Sequence, residues 1–135
     1  MAGYSGKPLP SKLGIKPGHR VLLEGMPASI DLEPLPSDVT VVTRAGSHPF
    51  DVGILFAPRF DQLRRRFGVL ARHLSGPGAL WVAWPKRASG LPTDLTENVV
   101  RDHGLDRGLV DVKVCAIDDT WSGLKFVRRL SDRRE

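Results

Sequence analysis

The sequence predicts a three-layer α/β domain of the doubly wound kind, and three observations point there. Short, nearly continuous apolar runs bounded by Gly or Pro recur along the chain, as in strands buried on both faces. Two helical patterns interrupt those runs, which implies a mainly parallel sheet with right-handed crossovers. The chain then closes on two β-prone runs around a four-residue turn, an antiparallel hairpin.

The length of 135 residues fits one domain with no spare core. Residues 1–18 (AGYSGKPLPSKLGIKPG after Met1) read as an extended arm with one helical turn over Lys12–Ile15. Residues 19–130 form the domain and 131–135 a basic, polar tail. The first strand is His19–Leu23, bounded by Gly18 and Gly25. Residues 26–38 hold three prolines, so any helix there is a single turn. Val39–Thr43 is the second strand and Val52–Phe56 the third.

The first long helix follows, with Leu63, Phe67, Leu70, Ala71 and Leu74 on one stripe, Asp61 as N-cap and Gly76-Pro77-Gly78 as terminator. Ala79–Trp84 is the fourth strand. A second helix starts at Asp94, with Glu97 in capping-box position, and stops at Gly104. Val112–Ile117 and Ser122–Arg128 make the hairpin around Asp118–Trp121.

Composition narrows function by exclusion. With Cys115 as its one cysteine the chain makes no internal disulfide, which fits a reducing cytoplasm. No apolar run reaches membrane-spanning length, and no signal-peptide pattern opens the chain, so no membrane partner is expected. Twenty basic against fifteen acidic residues leave a net charge of +5, concentrated at Arg64-Arg65-Arg66, Arg128-Arg129 and Arg133-Arg134. Such runs can attract polyanions, but no aromatics interleave with them, so nucleic acid is not favoured over a solvated helix face and tail. His19, His48, His73 and His103 have no paired ligand spacing, so no metal is expected. Cys115, mid-strand between Val114 and Ala116, reads as a structural thiol. The phosphate-binding and nucleophile-elbow motifs are missing.

The terminal hairpin, with the stretches KPGHRVLLEG, FDVGILFAP and LARHLSGPGALWVAW, resembles the Rossmann-like fold of S-adenosylmethionine-dependent methyltransferases over roughly residues 14–128. That resemblance implies about six strands in the order 2-1-3-4-6-5, the last one antiparallel and inserted beside the fourth. The longer runs WVAWPKRASGLPTDLTENVVR and GLVDVKVCAIDDTWSGLKFVRR resemble an uncharacterised bacterial family of small proteins, which implies no activity.

Three features that the methyltransferase resemblance implies for a cofactor are not met. The turn after the first strand, Glu24-Gly25-Met26-Pro27-Ala28, has one glycine. The end of the second strand, Thr43-Arg44, has no acid for ribose hydroxyls, and the helix after the first strand is reduced to a stub. No cofactor is therefore expected, S-adenosylmethionine included.

Ligands of open parallel sheets sit beyond the carboxyl ends of the strands. The residues delivered there are Glu24, Pro58, Trp84, Pro85, Lys86, Asp118, Asp119 and Trp121. Trp84 and Trp121 are expected to become neighbours, with one indole partly accessible near Lys86; in the purely structural alternative Lys86 pairs with Asp118 or Asp119. The preferred expectation is a non-catalytic binding or adaptor module that meets a protein or small molecule at this edge. The alternatives are a divergent S-adenosylmethionine-dependent methyltransferase and electrostatic nucleic-acid binding.

Overall fold

The computed structural model describes residues 8–133; residues 1–7 of the expected arm and 134–135 of the tail lie outside that range. Six strands form one sheet in the order β2-β1-β3-β4-β6-β5. They are β1 (Arg20–Glu24), β2 (Thr40–Val42), β3 (Phe50–Phe56), β4 (Leu74–Pro85), β5 (Leu109–Ala116) and β6 (Trp121–Arg128). β1 pairs in parallel with β2 and β3, β3 with β4, and β6 runs antiparallel to both β4 and β5. This is the topology expected from the hairpin.

Helices α2 (Phe60–Arg72) and α3 (Glu97–Asp106) cover one face. Leu63, Phe67 and Leu70 of α2 and Val100 of α3 meet Leu22, Leu55, Leu80, Val82, Leu124 and Phe126 there. The other face is covered by α1 (Leu9–Leu13) and by the irregular segment 26–39, through Leu13, Ile15, Ile30 and Leu32. The helical turn expected over Lys12–Ile15 of the arm lies at Leu9–Leu13 instead and is packed on the sheet: Leu13 and Ile15 are buried, and the carbonyl of Leu13 accepts the Trp81 indole N–H at 3.1 Å. Residues 26–38, expected to allow one helical turn, form no helix.

The caps correct four local expectations. α2 opens at Phe60 rather than Asp61, and the Phe60 N–H donates to Asp94 Oδ1 at 2.7 Å. Asp94, expected to cap the second helix, therefore caps the first one, 34 residues away. Thr96 caps α3 instead, its Oγ1 accepting the Val99 N–H at 3.2 Å. Asp61 pairs with Arg64 and Arg65. α2 ends at Arg72, and Arg128 Nη2 donates to the carbonyls of Ala71 (2.9 Å) and Leu74 (2.8 Å) at that end. The Gly76-Pro77-Gly78 run lies within β4, where the pairing with β3 is irregular between Phe50 and Val52. Gly104 does not stop α3. The chain turns at Gly108, whose φ of 92° is in the left-handed region.

Candidate functional site

The parallel strands end together at one edge, and a cavity of about 740 Å³ opens there beyond β4. Trp84, Pro85 and Lys86 line it from the strand end, Ser122 from β6, and residues 90–97 from the segment leading into α3. That segment is tied down at its middle. The Thr93 hydroxyl donates to the carbonyl of Pro58 at 2.6 Å, and Asp94 is held by the start of α2. Lys86 is half-buried, its backbone N–H donates to the Thr120 carbonyl at 2.7 Å, and no carboxylate lies within ion-pair distance of its ammonium among the described residues. Neither Asp118 nor Asp119 pairs with it.

The eight residues expected at this edge do not form one cluster. Trp84, Pro85 and Lys86 reach the cavity; Glu24, Pro58, Asp118, Asp119 and Trp121 do not line it. Glu24 accepts a two-pronged pair of bonds from Arg66, Nε to Oε2 at 2.6 Å and Nη2 to Oε1 at 2.7 Å. The same bonds push the Arg66 guanidinium's pKa up. Asp118 Oδ1 accepts the N–H groups of Thr120 (2.8 Å) and Trp121 (2.7 Å), so it builds the hairpin turn. Asp119 is exposed.

The two tryptophans correct the expected aromatic rim. In the β4–β6 ladder Trp84 lies opposite Ser122 and Pro85 opposite Trp121. Successive side chains of a strand point to opposite faces, so the indoles lie on different sides of the sheet. Trp84 joins the core under α2 and α3, and Trp121 the core under α1, edge-on to Phe56 at 5.3 Å. They are 6% and 7% exposed, so neither is open to solvent.

Sequence reasoning overlooked Thr93, Thr96, Glu97 and Ser122, which line the cavity. The one available signal was the Gly90-Leu91-Pro92 run, irregular chain beside a strand end. Gly25 has a φ of 75°, and a Cβ there would come within 3.0 Å of the Phe56 carbonyl oxygen, so the turn after β1 closes tightly on the end of β3. Away from this edge, His103 is buried between the edges of Phe60 and Phe67, with Nε2 lacking a hydrogen-bond partner. Burial pushes its pKa down and pushes the Cys115 thiol up. Among the described residues no group of three or more His, Cys, Asp or Glu could hold a metal ion, and no helix is long and apolar enough to cross a membrane.

Solved structures share this architecture. A SAM-dependent methyltransferase from Aquifex aeolicus superposes with a TM-score of 0.60 at 15% identity, over 86% of this chain and 85% of that one. The ribosomal protein L11 methylase of Lactobacillus delbrueckii subsp. bulgaricus gives 0.57 at 12% identity, over 90% and 75%. Magnesium protoporphyrin IX methyltransferase from Synechocystis PCC 6803 with bound SAH gives 0.59 at 14% identity, over 84% and 75%. The fold is that of SAM-dependent methyltransferases. No family model matches the chain, and no curated protein matches it.

The likeness overturns one expectation. S-adenosylmethionine was not expected because one turn, one strand end and one helix departed from the resemblance. Yet the fold is shared with the Synechocystis enzyme, solved with bound SAM as well as SAH. Three local departures do not outweigh a topology shared over most of both chains, since backbone at the strand ends can contact a ligand whatever the side chains.

Proposed function

We propose that this chain is a divergent S-adenosylmethionine-dependent methyltransferase, with cofactor and methyl acceptor meeting at the carboxyl edge of the sheet. The observation that carries the reading is the fold shared with solved methyltransferases, among them the SAM-dependent enzyme from Aquifex aeolicus. The cavity of about 740 Å³ at that edge supports it, being of a size usual for small-molecule sites.

Bound there, the cofactor would supply an electrophilic methyl group; the chain's own residues would bind and orient. Lys86, with no carboxylate partner among the described residues, suits the carboxylate of the cofactor's methionine portion or an acidic acceptor. The exposed Gly25 turn lets a ligand approach the backbone closely. Trp84 and Ser122 line the cavity, and the Thr93 hydroxyl, held on the Pro58 carbonyl, fixes the segment beside it. Ribose hydroxyls would need an acceptor other than the strand-end acid that Thr43-Arg44 does not provide.

A binding module without transfer chemistry is the second reading. It is favoured by the locking of Glu24 onto Arg66, which leaves that carboxylate no free role at the edge. Titration calorimetry with S-adenosylmethionine and S-adenosylhomocysteine tests the first. The expected dissociation constant is on the order of 10 μM, weakened about tenfold by Lys86→Ala with folding stability changed by less than about 1 kcal/mol. Absence of binding at millimolar ligand refutes it. Binding without transfer of labelled methyl to any cell-extract fraction supports the second.

A further inference from the structure

Three lysines from separate parts of the chain gather on the face covered by α1, towards the opposite edge of the sheet. Lys113 of β5 stands directly opposite Lys125 of β6, and Lys125 stands opposite Trp81 of β4. Opposed residues of an antiparallel ladder share a face, with Cβ atoms about 5 Å apart. Trp81 belongs to the core beneath α1, so both lysines project on that side. Lys16, just past α1, joins Lys125 in lining a cavity of about 300 Å³. The cavity also takes in Gly78 and Ala79 near the beginning of β4 and Val52 of β3, which places it away from the carboxyl edge.

This arrangement is electrostatically unfavourable as it stands. Like charges directly opposite in a ladder are destabilising. Lys125 is half-buried, and burial together with the charges of Lys113 and Lys16 pushes its pKa down. Among the described residues no carboxylate lies within ion-pair distance of Lys16, Lys113 or Lys125. Asp51, the acid in the cavity lining, is turned to other partners: Oδ2 accepts the Arg20 N–H at 2.8 Å, and Oδ1 lies 3.5 Å from the Ser75 hydroxyl. His19 lines the cavity as well. Its Nδ1 accepts the Lys16 N–H at 3.1 Å, which leaves the neutral ring's proton on Nε2 as a donor.

We propose that this cavity is an anion site for a small phosphorylated molecule, its phosphoryl group held between Lys16 and Lys125 with Lys113 beside them. A phosphoryl group offers several acceptor oxygens to ammonium and imidazole donors and would neutralise the opposed charges. The volume lies at the small end for ligand sites. No Phe, Tyr or Trp lines it among the described residues, so the lining favours the phosphoryl group over a nucleobase. The site is separate from the cavity beyond β4 and stands whether or not that one takes S-adenosylmethionine.

Pyrophosphate is the probe, titrated at constant ionic strength while thermal unfolding and binding heat are followed. The wild-type midpoint is expected to rise saturably, and Lys125→Met to weaken binding at least about tenfold. Lys16→Gln and Lys113→Gln are expected to weaken it by smaller factors, and Arg59→Gln, an equal loss of charge elsewhere, to leave it unchanged. The two glutamine variants keep the test open should Lys125→Met fail to fold. An equal rise in wild type and the lysine variants, or no saturable rise up to about 10 mM, overturns the proposal. So does a phosphorylated oligonucleotide that binds through Lys125 where pyrophosphate does not, since the occupant would then be a nucleic-acid backbone.

Discussion

Replacing Gly104 by alanine sets two effects of known sign against each other. Gly104 lies within α3, and alanine at an exposed position of that kind would gain about 1 kcal/mol in helix propensity. Here an added Cβ would fall 2.0 Å from Cε1 of Phe126, 2.5 Å from Cζ and 2.6 Å from Cδ1. That ring is not a flexible end: Phe126 is wholly buried and meets Phe67 edge-on at 5.3 Å. Overpacking of this sort costs about 1–3 kcal/mol, and three sub-van-der-Waals contacts place it at the top of the range. The net expectation is a loss of about 2 kcal/mol, or roughly 8 °C in midpoint for a domain of this size. Thermal and urea unfolding of Gly104→Ala, Phe126→Leu and the double variant measure it. In the Phe126→Leu background the ring edge is gone, and the alanine should become neutral or stabilising. A single Gly104→Ala variant as stable as wild type would refute the argument.

The remaining predictions concern a histidine, a cap and a tryptophan. Burial holds the His103 pKa below its ordinary 6.5, with Arg107 and Arg64 adding to the depression and Asp106 opposing it. The unfolded chain therefore takes up the proton first as pH falls. The stabilisation is complete above pH 6.5 and is lost as pH falls through the lower folded value, and His103→Leu should flatten that part of a stability–pH profile. Asp94→Ala removes an acceptor from the first turn of α2 and should cost about 1 kcal/mol by urea unfolding, although it lies outside that helix. Trp121→Ala opens a cavity under α1 and should cost about 3–5 kcal/mol, which thermal unfolding would register as a large drop in midpoint.

The sheet was legible because its signal is local. VLL, GILF and LWVAW are apolar runs needing cover on both faces, and the Leu63–Phe67–Leu70 stripe names the face that α2 buries. Single-residue roles were not legible. Asp94 and Thr96 are both fitting caps two residues apart, and the three-dimensional path of the chain assigns each to a different helix. The rim of two tryptophans failed on parity: a one-residue offset in the β4–β6 register sends one indole up and the other down. The lysine cluster was beyond sequence reasoning altogether, since Lys16 and Lys125 are brought together only when α1 folds back over Trp81.

The two outer strands bear on how copies of this chain behave side by side. β2 is three residues long, too short to template a neighbour's strand. β5 is longer and leaves Val112 and Val114 53% and 46% exposed, an invitation to edge-to-edge association. Its ladder slips out of register between Asp111 and Lys113, however, and Lys113 puts a charge on the strand beside that irregularity. A bulged, charged rim resists zipping onto a second sheet. The lysine that strains the anion site therefore also guards the sheet's longer open border, and Lys113→Val should trade that strain for self-association.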